Sequence, residues 1–149
     1  MTDHLRLTLT PDDDGTAELH GEVVANGFSG RGSAWFNVSA VADLAGVLCK
    51  AFPLSDPVEL KGGYWSKESG AGLTQEHLAL RFYPVAGRGV LGCQVRLATS
   101  VQEHDRAEEQ HVVRAELTTS YQELQQFSAD LLNLANGLTH EAVLHAVAV

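Results

Sequence analysis

Seven histidines and nineteen carboxylic acids are the residues in this chain that could do chemistry. The nearest approach to a metal motif is His140-Glu141-Ala142-Val143-Leu144-His145. A helical zinc pair needs histidines four apart, with Glu after the first, so that both rings leave one face. Five residues turn a helix by about 500°, which carries the second ring off that face. These histidines read as surface groups near a terminus. Asp12-Asp13-Asp14-Gly15 has the acidity of a calcium loop but neither its spaced ligands nor its distal Glu, and reads as a turn. Gly27-Phe28-Ser29-Gly30-Arg31 has its last Gly one residue too early for a nucleophile elbow, and a strand rather than a helix follows. Gly27, Gly30 and Gly32 also miss the dinucleotide and phosphate-loop patterns. They are expected to relieve strain or mark a bulge. Glu18 and Glu22 share a strand face and would do acid/base work only if a cleft raised one pKa. Solvated acids are the simpler reading. No catalytic residue, metal ligand or cofactor is assigned on these grounds.

Recognition has better candidates. Tyr64 and Trp65 lie in Gly62-Gly63-Tyr64-Trp65-Ser66, beside a polar, glycine-rich loop from Lys67 to Thr74. Aromatics next to mobile backbone often mark contact surfaces, and core packing is the competing reading. The stretch Glu103 to Gln110 is nearly all polar. It reads as a hairpin tip that offers Glu103, Glu108 and Glu109 to a partner or simply to water. In a third reading, Trp35, Tyr64, Trp65 and Phe82 line a small-ligand cleft between sheet and helices.

Period-two alternation supplies most of the elements that would position these groups. Leu5, Leu7 and Leu9 mark a first strand, Ala17 to Ala25 a second, and Phe28 to Asn37 a third, with Asp-Gly and Asn-Gly turns between them. A helix is expected from Ser39 as N-cap through Phe52, with Val41, Leu44 and Leu48 on one stripe and Asp43 near the first turn. Pro53 stops it. Val58 and Leu60, then Leu78 to Phe82, then Leu91 to Leu97, then Val113 to Leu117 read as four more strands. Pro84 falls at the end of the second of these. Ser120-Tyr121-Gln122-Glu123 is a capping box opening a second helix, with Leu124, Phe127, Leu131 and Leu134 as its apolar stripe. Asn136-Gly137 ends it. Thr139 to Val149 suggests a short terminal helix. The order predicts an α+β domain spanning residues 1–149: one antiparallel sheet of about six to seven strands with two main helices on one face.

Ten Lys and Arg stand against nineteen Asp and Glu, a formal net charge of -9. With the basic residues scattered along the chain, a nucleic-acid partner is not expected, because phosphate backbones need a concentrated positive face. No apolar stretch approaches the ~20 residues of a membrane span. The start, Met1-Thr2-Asp3-His4, lacks the basic and apolar regions of a secretory signal, so a cytoplasmic location is expected. Cys49 and Cys93 have no metal or redox spacing, and both read as buried thiols.

Several of these features together carry a family resemblance. A strand ending in Trp35-Phe36 leads into the helix holding Asp43-Leu44. A Leu-rich strand, Leu78 to Phe82, is followed by a glycine turn and a strand from Gly89 to Leu97. A last strand, Val113 to Leu117, runs directly into a helix with Tyr121, Leu124 and Phe127. This organisation, over about Gly21 to Leu132, resembles that of the WapI-type immunity family and related uncharacterised bacterial proteins. The resemblance implies a cytoplasmic, non-enzymatic protein that binds and blocks a bacterial toxin domain. Acid excess fits a basic partner, with Glu103, Glu108 and Glu109 meeting it. A sheet with one free face also offers a surface for homodimerisation.

Overall fold

The computed structural model describes residues 2–68 and 70–148. Met1, Ser69 in the expected 67–74 loop, and Val149 at the end of the expected terminal helix lie outside them. Eight strands and two helices follow in the order β1 (His4–Pro11), β2 (Thr16–Ala25), β3 (Phe28–Asn37), α1 (Val38–Lys50), β4 (Val58–Trp65), β5 (Leu73–Ala86), β6 (Val90–Ala98), β7 (Val112–Ser120), α2 (Tyr121–Ala135) and β8 (Ala142–His145).

The strands form two antiparallel four-stranded sheets, ordered β3-β2-β1-β8 and β4-β5-β6-β7. The expectation of a single sheet of six to seven strands with helices on one face is therefore wrong, although the α+β character and the two helices hold. After α1, strand β4 does not return to pair with β3 but starts a new sheet. Alternation reveals that one face of each strand is buried, not whether a helix or another sheet buries it. Here the second sheet shares that role with the helices.

Contact between the sheets is closest along β3. A Cβ built on Gly32 would lie 2.8 Å from the His77 carbonyl oxygen and 3.0 Å from the Ala98 nitrogen. A Cβ on Gly30 would lie 2.5 Å from Val113 Cγ1. These glycines therefore remove side chains where one sheet's backbone crosses another. They do not mark a bulge, since the β2–β3 register is unbroken from Thr16↔Asn37 to Ala25↔Phe28. The register shifts fall instead in β4, at Gly62/Gly63 and Tyr64/Trp65, and in β5 at Pro84/Ala86. Strand β5 continues beyond the proline, further than expected. Its last β4 partner is Phe82↔Val58, so the amide missing at Pro84 leaves no gap in that ladder.

Leu5, Leu7, Leu19 and Val23 from the first sheet and Leu78, Leu80, Phe82, Val95 and Leu97 from the second belong to one buried cluster. The helices complete it. Helix α1 packs on α2, and each helix touches both sheets: α1 meets β3 and β4, while α2 meets β1, β8 and β7. Phe127 of α2 lies 6.3 Å from Phe82, centroid to centroid. Helix α2 is capped as expected, with the Ser120 hydroxyl accepting from the Glu123 amide. Helix α1 is not. Its N-cap is Asn37, without a side-chain cap bond, because β3 runs straight into the helix. The Val38 amide donates to the Gly15 carbonyl instead, and no acid lies in the first turn. Its buried stripe is Val41, Leu44, Ala45 and Leu48, which turns Cys49 outward; Cys49 is exposed, and only Cys93 is a buried thiol.

The expected terminal helix is strand β8. Ala142 and Leu144 alternate inward and pair with Leu7 and Leu5. This covers a β1 edge whose amides and carbonyls would otherwise be open. Beyond it, the Val147 amide donates to the Thr118 carbonyl and the Ala146 amide to the Asp3 carbonyl, so the chain end joins the edges of both sheets.

Opposite outcomes are expected for two glycines. Gly32→Ala forces backbone apart and should cost about 1–3 kcal/mol. Gly46→Ala, in open space on α1, should stabilise by up to about 1 kcal/mol. Urea denaturation measures both; a neutral Gly32→Ala would contradict the close crossing.

Candidate functional site

Where the edge strands β3 and β4 meet, the sheets part around a cleft of about 670 Å³. A Cβ on Gly62 of β4 would lie 2.5 Å from Phe36 Cζ and 2.8 Å from Ala34 Cβ, so the glycine admits the end of β3 against β4. Phe36 and Leu60 supply apolar lining, and Trp35, Trp65, Asn37, Lys61, Asp12 and Asp14 complete most of the wall.

Each wall residue has a local cause. Trp35 pairs across the ladder with Glu18, so it shares the outer face of the first sheet, while its neighbour Phe36 points inward opposite Ala17. Trp65 follows the second β4 bulge, and bulges re-aim the side chains that follow them. The indoles remain 51% and 61% exposed, and they are the only tryptophans of the chain. The β1–β2 turn reaches the same place because Thr16 pairs with Asn37. Within that turn the Thr16 hydroxyl and amide both donate to Asp14 Oδ1, at 2.5 and 3.0 Å. The side-chain bond first and the backbone bond second hold the Asp14 carboxyl below its ordinary range. Asp12 Oδ1 accepts from the Asp13 amide at 2.7 Å. Lys61 lies 3.2 Å from Glu59, so its charge is matched.

The recognition candidates separate. Trp65 lines the cleft, as does Trp35 from the small-ligand reading. Tyr64 turns away: its hydroxyl accepts from Gln102 Nε2 at 2.8 Å, and its ring meets His77 edge-on at 4.6 Å. Phe82 is core and cannot line a cleft. Glu103, Glu108 and Glu109 are exposed in the β6–β7 connection, the last two in a 3-10 turn, Ala107–Glu109. None lines the cleft. Asp12 and Asp14 were legible only as a turn. The missed signal is register: in a three-strand meander with two tight turns, the first turn must lie beside the end of the third strand.

Several other titratable groups are paired. Arg6 and Arg31 each hold one oxygen of Glu22, at 2.9 and 2.7 Å, and Ser33 donates to Glu18 at 2.7 Å. Tyr83 donates to the Glu116 carboxylate; burial, then that bond, push its pKa up to about 12. Burial raises the Cys93 thiol strongly. Among the described residues no group of three or more His, Cys, Asp or Glu is placed to hold a metal ion. His140 and His145 flank or end a strand, so helical pairing does not arise. Basic residues that are scattered in sequence do converge. Lys61, Arg81, Arg96 and Arg114 share the outer face of the second sheet, with Arg96 directly opposite Arg114. Glu59 sits between Lys61 and Arg81, which breaks the positive face.

No family model, curated protein or solved structure matches the chain. No helix among the described residues is long and apolar enough to cross a membrane.

His77 is buried behind Tyr64, with its Nε2 2.9 Å from Gln75 Oε1. Burial first, and the Arg96 charge second, lower its pKa below 6.5. The neutral ring is the folded form. Its contribution to stability is complete above pH 6.5 and lost as pH falls through the lowered pKa. An NMR titration should place the His77 midpoint below 6.5, and Arg96→Met should raise it only part of the way. A midpoint at or above 6.5 would contradict the burial.

Proposed function

We propose that this chain is a non-enzymatic protein-binding module of immunity type, which acts in the cytoplasm by occluding the working face of a toxin domain. The observation that carries the binding reading is the pair of half-exposed indoles, Trp35 and Trp65, at one cleft. Tryptophan left in water forgoes a large burial energy, and in protein interfaces it is among the residues that return most of the binding energy. The contact is centred there rather than on Glu103, Glu108 and Glu109, which stand on a separate wet segment. That segment would act at longer range, raising the encounter rate with a basic partner. The net charge of -9 supports a basic partner over an acidic one.

A small-ligand role is the second reading, because the cleft volume of about 670 Å³ lies within the usual range for ligand pockets. Affinity capture from the native lysate separates the two when Trp35→Ala/Trp65→Ala is run beside the natural chain. A protein retained by the natural chain and lost with the double variant is expected. The loss should be at least about thirtyfold in Kd, since hot-spot truncations cost about 2 kcal/mol or more. Retention by the double variant and loss with Glu103→Gln/Glu108→Gln/Glu109→Gln would move the site to the acidic segment. No protein captured by either would favour the small ligand.

A further inference from the structure

We infer that the Trp35–Trp65 cleft takes a cationic side chain, an Arg or Lys presented by the partner; this rests on the protein-binding reading above. What the cleft leaves unspent points that way. Its one cationic side chain and the donors of its turn are used. The Thr16 hydroxyl and amide go to Asp14, and Lys61 faces Glu59. Its acceptors are not. Asp12 and Asp14 each engage one carboxylate oxygen with the turn backbone or Thr16, and the second oxygen of each has no protein donor among the described residues.

Free carboxylate oxygens, two half-exposed indoles and an apolar lining of Phe36 and Leu60 make a site rich in negative potential. A guanidinium or ammonium meets each of these at once: its charge and N–H groups the carboxylates, its plane or point charge the indole faces, and its methylene stem the apolar lining. A neutral sugar would stack on the same indoles but would leave the two carboxylate charges uncompensated. An anion would meet only Lys61, already matched by Glu59.

Because Trp35 and Trp65 are the only tryptophans, fluorescence excited selectively at tryptophan reports on this cleft alone. The test titrates the full chain at low salt with a blocked Gly-Arg-Gly-Arg-Gly peptide and with the same peptide carrying Gln for Arg. A saturable change is expected with the Arg peptide, and binding at least about twofold weaker with the Gln peptide, the scale of one exposed cation–aromatic contact. Asp12→Asn/Asp14→Asn should weaken the Arg peptide by a similar factor. Asp56→Asn/Asp130→Asn, which removes as much charge away from the cleft wall, should leave it unchanged. Circular dichroism shows whether Asn at position 14 still holds the turn, and single Asp12→Asn carries the test if it does not. Equal binding of the Gln peptide, an unchanged Asp12→Asn/Asp14→Asn, or a response only to a neutral oligosaccharide such as maltoheptaose would each overturn the assignment. Capture of a protein that is lost with Trp35→Ala/Trp65→Ala, alongside any of those results, would show that the cation assignment fails while the protein-binding reading stands.

Discussion

The crossing of β3 over the second sheet is the contact on which the rest of the architecture depends. Backbone at Gly32 lies against backbone at His77 and Ala98, with no side chain between them. Sheets normally pack about 10 Å apart because side chains from both faces fill the gap. Removing those side chains at Gly30 and Gly32 brings the sheets together at one place, and they diverge from it. Both helices contact both sheets, and their apolar stripes occupy the space so opened, with Phe127 reaching Phe82. The chain end, joining β1 to β7 through Asp3 and Thr118, ties the two edges together.

The same crossing sets the cleft. Holding β3 against the second sheet brings its last residues to the β4 edge, where Gly62 makes room for Phe36. Phe36 is spent on that contact, so Trp35, its neighbour on the opposite face, is left outside. Trp65 is placed across from it by the bulges of β4, and the acidic β1–β2 turn is carried there by the hairpin register. The cleft thus sits at the seam between the two sheets, with strands, one turn and the start of α1 supplying its wall. A site built this way needs no motif in a single segment, which fits the absence of one in the sequence.

Much of the local structure was legible, because it depends on local rules. Alternation marked seven strands, the two Asn-Gly and Asp-Gly turns set the first hairpins, and the Ser120 cap opened α2 where a capping box should. What was illegible depended on partners far away in sequence. Alternating Leu residues in β5 and β6 look the same whether helices or a second sheet cover them, so the single-sheet expectation failed. Gly30 and Gly32 look like strain relief until the strand crossing them is known. Ala142 and Leu144 suit a short helix or a strand equally well, and the open β1 edge decides. Trp65 was visible as a candidate while Tyr64 beside it was not separable from it, since only the bulge shows which of the two faces the cleft. The acids that matter to the cleft, Asp12 and Asp14, carried a sufficient local explanation as a turn, and that explanation hid their second position.

If the two indoles stand exposed in a negative field at the seam of the sheets, collisional quenching of tryptophan fluorescence must depend on the charge of the quencher. Caesium and iodide ions differ in charge, and free N-acetyltryptophanamide calibrates their intrinsic efficiencies. Both ions are expected to reach the indoles, with a caesium-to-iodide ratio that exceeds that of the free amide and falls towards it when Asp12 and Asp14 are changed to Asn. Emission that neither ion quenches, or a ratio that favours iodide, would contradict that placement of the indoles.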